Sequence, residues 1–106
     1  MDKDAVLEII ARFQRAIELR GIRVNRLILY GSYAKGSYRE GSDIDLIVIS
    51  KDFKGKDYWE RIDILSDAIY DVFEPIEAIA MTPDEWKRKA FSIVDYASDG
   101  EIVYAA

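Results

Sequence analysis

The sequence predicts an α/β chain, in the broader α+β sense, with a small mixed sheet flanked by helices. Three features predict it. Helix-like and strand-like patterns alternate along the chain in the order α-β-α-β-α-β-α-(α)-β. Two apolar runs, Leu27–Tyr30 and Leu46–Ile49, are short, β-branched or aromatic, and bounded by Gly and Ser, as buried strands are. The link between them is only about a dozen residues long, which joins neighbouring strands, most simply antiparallel ones.

The elements follow in order. Asp4 to Arg20 reads as a helix, because Val6, Ile9, Ile10, Phe13 and Ile17 fall on one apolar stripe. Asp2 and Asp4 near its start and Arg20 near its end suit the macrodipole, and Gly21 suits the position after the C-cap. This helix carries core packing and no chemistry. A strand over about Arg23–Tyr30 comes next, then a sharp Gly31-Ser32 turn into a short helix beginning near Tyr33. Gly36 and Gly41 bracket a polar loop. The second strand spans about Asp43–Ser50, and Lys51–Asp57 reads as a charged, solvated loop, with contact of its three lysines to a nucleotide or an acidic partner as the lesser alternative.

A further helix over about Tyr58–Phe73 presents Tyr58, Ile62, Leu65, Ile69 and Val72 as a stripe. Glu74-Pro75 ends it, since a residue before proline avoids the α region. Ile76–Met81 is the third strand. Thr82-Pro83-Asp84-Glu85 has an N-cap Thr, Pro at the first helical position and Glu closing a capping box, so a helix starts there. Trp86 and Phe91 are expected to pack inward. A last helical stretch around Ser92–Ser98 ends at Gly100, and Glu101–Tyr104 adds a short terminal strand.

Bulk composition narrows the function classes. With 106 residues, half of them hydrophobic, one domain over residues 1–106 with a single core is expected. The balance of 15 Lys plus Arg against 20 Asp plus Glu, net −5, argues against stable nucleic-acid binding. The absence of Cys and His removes disulfides, thiolate zinc sites, imidazole bases and Ser-His-Asp triads. Any metal is therefore held by oxygen, which selects Mg²⁺ or Mn²⁺. No apolar run approaches the ~20 residues of a membrane span and no signal peptide opens the chain, so a cytoplasmic location is expected.

The distinctive chemistry lies between the first two strands. A Gly-Ser turn at a helix N-terminus leaves backbone N–H groups pointing outward, suited to phosphate. Asp43 and Asp45 are two apart at a strand start, so both carboxylates share one face, with Ile44 and Leu46 on the other. Glu77 is the only polar residue of its strand. Beside the second strand it would complete a three-carboxylate cluster; on an edge it would face water.

Gly31-Ser32, ten residues, then Asp43-Ile44-Asp45 is a combined pattern far more specific than either half. It resembles the minimal nucleotidyltransferases of the DNA polymerase β-like superfamily, and Thr82–Glu85 resembles a helix start common in that family. The resemblance extends along the whole chain and implies the polymerase β-like palm fold. One departure is Glu77, where the family usually has Asp. The implied chemistry is two-metal phosphoryl transfer from ATP. Asp43, Asp45 and Glu77 would be the catalytic, metal-binding carboxylates for two Mg²⁺ ions, with Mn²⁺ as a substitute. Gly31, Ser32, Lys35 and Ser42 would bind nucleotide.

Lys35 and Arg39 are candidates for neutralising pyrophosphate, with surface solvation an equal alternative. For Tyr33 and Tyr38, packing or exposure outweighs base stacking. The resemblance further implies an antitoxin role of the MntA type, attaching AMP to a tyrosine of a helical HEPN-type toxin. The competing reading is a catalytically silent module that binds the same kind of partner, favoured by Glu77. Exposed strand edges leave homodimerisation open.

Overall fold

The computed structural model describes residues 1–106. Four strands, β1 (Arg26–Tyr30), β2 (Ile44–Ile49), β3 (Ile76–Met81) and β4 (Glu101–Ala105), form one sheet in the spatial order β3-β2-β1-β4. β1 is antiparallel to both neighbours, whereas β2 and β3 run parallel. The parallel pair needs a long crossover, which helix α3 (Tyr58–Val72) supplies. Helix α1 (Lys3–Glu18) packs beside α3 on one face of the sheet. Short helices α2 (Ser32–Lys35), α4 (Pro83–Lys87) and α5 (Ile93–Ala97) complete the fold.

Period-two alternation splits the core in two. Ile44, Leu46 and Val48 of β2 face α1 and α3, together with Leu27 and Leu29 of β1. Ile47 and Ile49 face the opposite way, against Ile28, Met81, Val94 and Ala97. The predicted stripe of α1, Val6, Ile9, Ile10, Phe13 and Ile17, is buried throughout. Asp2 caps that helix by accepting from the Ala5 N–H at 2.8 Å.

Several boundaries and packing expectations shift, each for a local reason. β1 starts at Arg26, later than expected: Asn25 still bonds the Ile49 carbonyl and the Ala106 N–H through its backbone, but at Arg23 side chains take the place of the ladder. Ser50 Oγ donates to the Arg23 carbonyl at 2.6 Å, Asp52 accepts from the Arg23 N–H at 2.7 Å, and Asn25 Oδ1 accepts from the Lys51 N–H at 2.8 Å. The charged segment after β2 is not wholly a solvent loop. It contains a single 3-10 turn, Lys51–Phe53, that inserts a fully buried Phe53 into the core while Lys51 and Lys54 stay outside. On α3 the buried positions are Leu65, Ala68 and Val72; Tyr58 is exposed. Phe91, expected inside, is exposed as well, because α4 ends at Lys87 and the chain turns outward before α5.

The Thr82 capping box forms as predicted, with Thr82 Oγ1 accepting from the Glu85 N–H and Glu85 Oε1 from the Thr82 N–H. Glu85 also receives Arg61 at 2.7 Å, tying α4 to α3. No helix is long and apolar enough to cross a membrane.

Candidate active site

At one end of the sheet three side chains stand in a row. Tyr30 at the end of β1 is opposite Asp45 of β2, and Asp45 is opposite Glu77 of β3. Residues paired across strands share a face, so phenol, carboxylate and carboxylate lie side by side. The face is the one that carries Ile28, Ile47 and Ile79 further down the sheet. Burial is graded along the row: Tyr30 is buried, Asp45 half-buried and Glu77 exposed.

The electrostatics follow from this placement. The Asp45 carboxyl is pushed up to about 6, first by burial, then by the charge and hydrogen bond of Glu77, then by Asp43. The Tyr30 phenol is pushed up to about 12, first by burial and then by Asp45, Glu77 and Tyr96. No Lys or Arg pairs with Asp43, Asp45 or Glu77, since the six ion pairs of the molecule all lie elsewhere. Like charges held together without a counter-cation are costly, and that cost is what a bound cation would relieve.

Gly31 turns the chain from β1 into α2 immediately beside this row. Its backbone sits at φ 72° and ψ −150°, a conformation essentially confined to glycine. A Cβ there would collide with Asp45 Oδ2. Glycine is thus required both for the turn and for the approach of the backbone to the carboxylate. In the first turn of α2, the N–H groups of Ser32, Tyr33 and Ala34 precede the bond from Lys35 N–H to the Gly31 carbonyl at 3.1 Å, and first-turn N–H groups have no partner along their own helix.

The remaining sequence-predicted positions are placed as follows. Asp43 stands exposed just before β2. No group of three or more carboxylates is gathered in metal-ligating geometry, so Asp43 is a neighbour of the Asp45–Glu77 pair and not part of a closed cage. Ser42 stabilises the loop itself, its Oγ accepting from the Arg39 N–H at 2.8 Å. Lys35 lays its Nζ over the Tyr96 ring, 4.8 Å from the centroid. Tyr33 is buried in the main core and stacks on Tyr38 at 4.6 Å, which accounts for both rings by packing.

Two residues at the site escape a reading of the sequence. Tyr30 was legible in principle, because antiparallel pairing of the two apolar runs brings it opposite Asp45. Tyr96, on α5, touches Tyr30 edge-on at 5.9 Å, and no local pattern announces it.

The donor set near Gly31 is all oxygen, negatively charged and without internal counter-ion, which fits a hard divalent cation. The chain belongs to the nucleotidyltransferase domain family, whose model matches residues 8–98. Among relatives, it is 40% identical over 48 residues to a candidate protein adenylyltransferase of Methanocaldococcus jannaschii, MJ0141. That match covers 44% of this chain and 48% of the relative, about half the length of either.

Solved structures share the fold. A nucleotidyltransferase candidate from Sulfolobus solfataricus superposes with a TM-score of 0.70 at 19% identity, over 92% of this chain and 78% of the other. A toxin–antitoxin complex with AMP-PNP gives 0.62 at 17% identity, over 94% and 73%. A complex of a tri-AMPylated Shewanella oneidensis HEPN toxin with its MNT antitoxin gives 0.58 at 14%, over 97% and 72%.

Proposed function

We propose that this chain is a divalent-cation-dependent nucleotidyltransferase that moves AMP from ATP onto a hydroxyl. The acceptor in this reading is a tyrosine of a helical HEPN-type toxin, which the chain silences as its antitoxin. The observation that carries the reading is the Asp45–Glu77 pair, uncompensated by any cation and set against the Gly31 turn. The family, the activity named for MJ0141 and the toxin–antitoxin complexes of like fold support it.

Each residue then has a task. Asp43, Asp45 and Glu77 would hold two Mg²⁺ ions, or Mn²⁺. When bound, these ions supply charge neutralisation for the triphosphate and acidify the acceptor hydroxyl. The first-turn N–H groups of Ser32 and Tyr33 and the Ser32 hydroxyl receive phosphate oxygens, with Gly31 permitting the approach. Ser42 fixes the loop that carries Asp43, and Lys35 is within α2 for the leaving pyrophosphate. The acceptor oxygen attacks the α-phosphorus, the bond to the α,β-bridging oxygen breaks, and pyrophosphate departs with that electron pair. Glu77, the most exposed carboxylate of the row, takes the acceptor proton.

Incubating the chain with α-labelled ATP, Mg²⁺ and a purified helical partner tests this. Label on a partner tyrosine, absent with Asp43→Ala/Asp45→Ala, is the expected result. A partner that binds yet stays unlabelled would overturn it. The second reading, a silent module, is favoured by the open placement of Asp43 and by Glu in the third carboxylate position. It wins if calorimetry finds partner binding but no ATP binding in Mg²⁺. A cytoplasmic location goes with ATP as substrate. The unpaired outer edge of β3 supports self-association, which sedimentation tests.

A further inference from the structure

The reaction proposed above needs a tyrosine hydroxyl that can reach the carboxylate row, and the chain carries seven tyrosines of its own. Six are unsuited to that task. Tyr30 and Tyr33 are buried. Tyr38 stacks on Tyr33, whose side chain belongs to the core on the α1/α3 side of the sheet. Tyr58 and Tyr70 are on α3, across the sheet from the row. Tyr104, on β4, packs against the α1/α3 core too.

Tyr96 differs on every count. It is 56% exposed, and α5 places it on the same side of the sheet as Tyr30, Asp45 and Glu77. Its ring meets Tyr30 edge-on at 5.9 Å, and Lys35 Nζ lies 4.8 Å from its centroid. The ring is therefore tied at once to the end of the row and to the last residue of α2, the helix that follows the Gly31-Ser32 turn. α5 itself is a five-residue helix without a side-chain cap, seated by Val94 and Ala97, so small adjustments of its outer face cost little.

We infer that Tyr96 is an intramolecular acceptor for the chain's own transfer site, so that the protein adenylylates itself in cis when no partner is engaged. The inference rests on the transferase reading. In the step, Tyr96 Oη bonds to the α-phosphorus of ATP in the presence of a divalent cation. The bond from that phosphorus to the α,β-bridging oxygen breaks, pyrophosphate leaves, and the phenolic proton passes to Glu77 and then to solvent. The product is an AMP phosphodiester on Tyr96 lying over the row.

The test is peptide mass spectrometry of the full chain at several protein concentrations, before and after incubation with ATP and Mg²⁺. A parallel tube contains the helical partner. The expected result is one adenylyl group on the peptide bearing Tyr96, formed at a rate independent of protein concentration. Tyr96→Phe, which keeps the ring and its contacts, should lose at least ~10-fold of the self-label while melting like the native chain. Tyr38→Phe should keep it. Calorimetry with the uncleavable α,β-methylene ATP should give the same affinity for Tyr96→Phe as for the native chain, since only the accepting oxygen is gone. Label on the partner with none on Tyr96, or self-label that rises with protein concentration, would overturn the inference and leave the transferase reading standing. No label on either would sink both.

Discussion

The two ends of the parallel β2–β3 pair treat charge in opposite ways. At the beginning of the strands, Asp45 and Glu77 face each other with no cation nearby, and burial with like charge pushes the Asp45 carboxyl up to about 6. At the far end, the polar side chains that leave solvent are matched by opposite partners. Ser50 donates to the Arg23 carbonyl, Thr82 and Glu85 cap each other, and Arg61 bonds Glu85 and the carbonyls of Phe53 and Lys56. Burial pushes the Glu85 carboxyl up, yet the Arg61 and Thr82 hydrogen bonds outweigh it and hold the group below the usual carboxylate range. The same side-chain chemistry thus serves cohesion at one end, while at the other the carboxylates share a hydrogen bond but stay without a counter-charge within the chain. Only the end without a counter-charge has something to gain from a ligand.

The largest effect that separates the ends is on transfer. Asp45→Asn should slow AMP transfer by roughly 10²–10³-fold, since cation-mediated charge stabilisation is worth several kcal/mol. The melting temperature should not fall, because the substitution removes a repelled charge. A rate loss accompanied by an equal loss of folded protein would break the comparison. Next comes Gly31→Ala, which forces both a disallowed backbone conformation and a clash with Asp45 Oδ2. About 1–3 kcal/mol of stability should be lost, read by urea unfolding, together with transfer.

At the satisfied end the order reverses. Arg61→Ala should cost about 2–3 kcal/mol by leaving Glu85 and two carbonyls short of a donor, with the transfer rate per folded molecule unchanged. The smallest effect is on pH dependence. The folded-state value of Glu85 is depressed, so its contribution is present above the ordinary carboxylate range, about 4.3, and is lost as pH falls through the depressed value. Stability should therefore decline in acid, and Glu85→Gln should flatten that decline in thermal melts taken as pH falls below the ordinary carboxylate range.

How much of this was legible in the sequence differs between the same two regions. The Thr82–Glu85 capping box is a local signal, its partners three residues apart, and it appears as predicted. The α1 stripe and the three main strands were equally readable from period. Arg61 reaching Glu85 spans 24 residues and depends on how α3 settles on the sheet, so no local pattern shows it. The register of Asp45 with Glu77 was readable only on the condition that the third strand lies beside the second, which it does. Phe53 was hidden in a lysine-rich stretch whose average polarity masked one buried ring. Tyr96 reaches the row through a turn-rich segment without periodicity, where the sequence offers nothing to extrapolate.

The account stands on the row at the end of β1, β2 and β3 being a cation-and-nucleotide site. Calorimetric titration of the native chain and of Asp45→Asn with Mn²⁺ and α,β-methylene ATP addresses that directly. Saturable binding by the native chain that requires both components, and its disappearance in the variant, is the predicted result. Equal binding by both chains, or none by the native one, would contradict it.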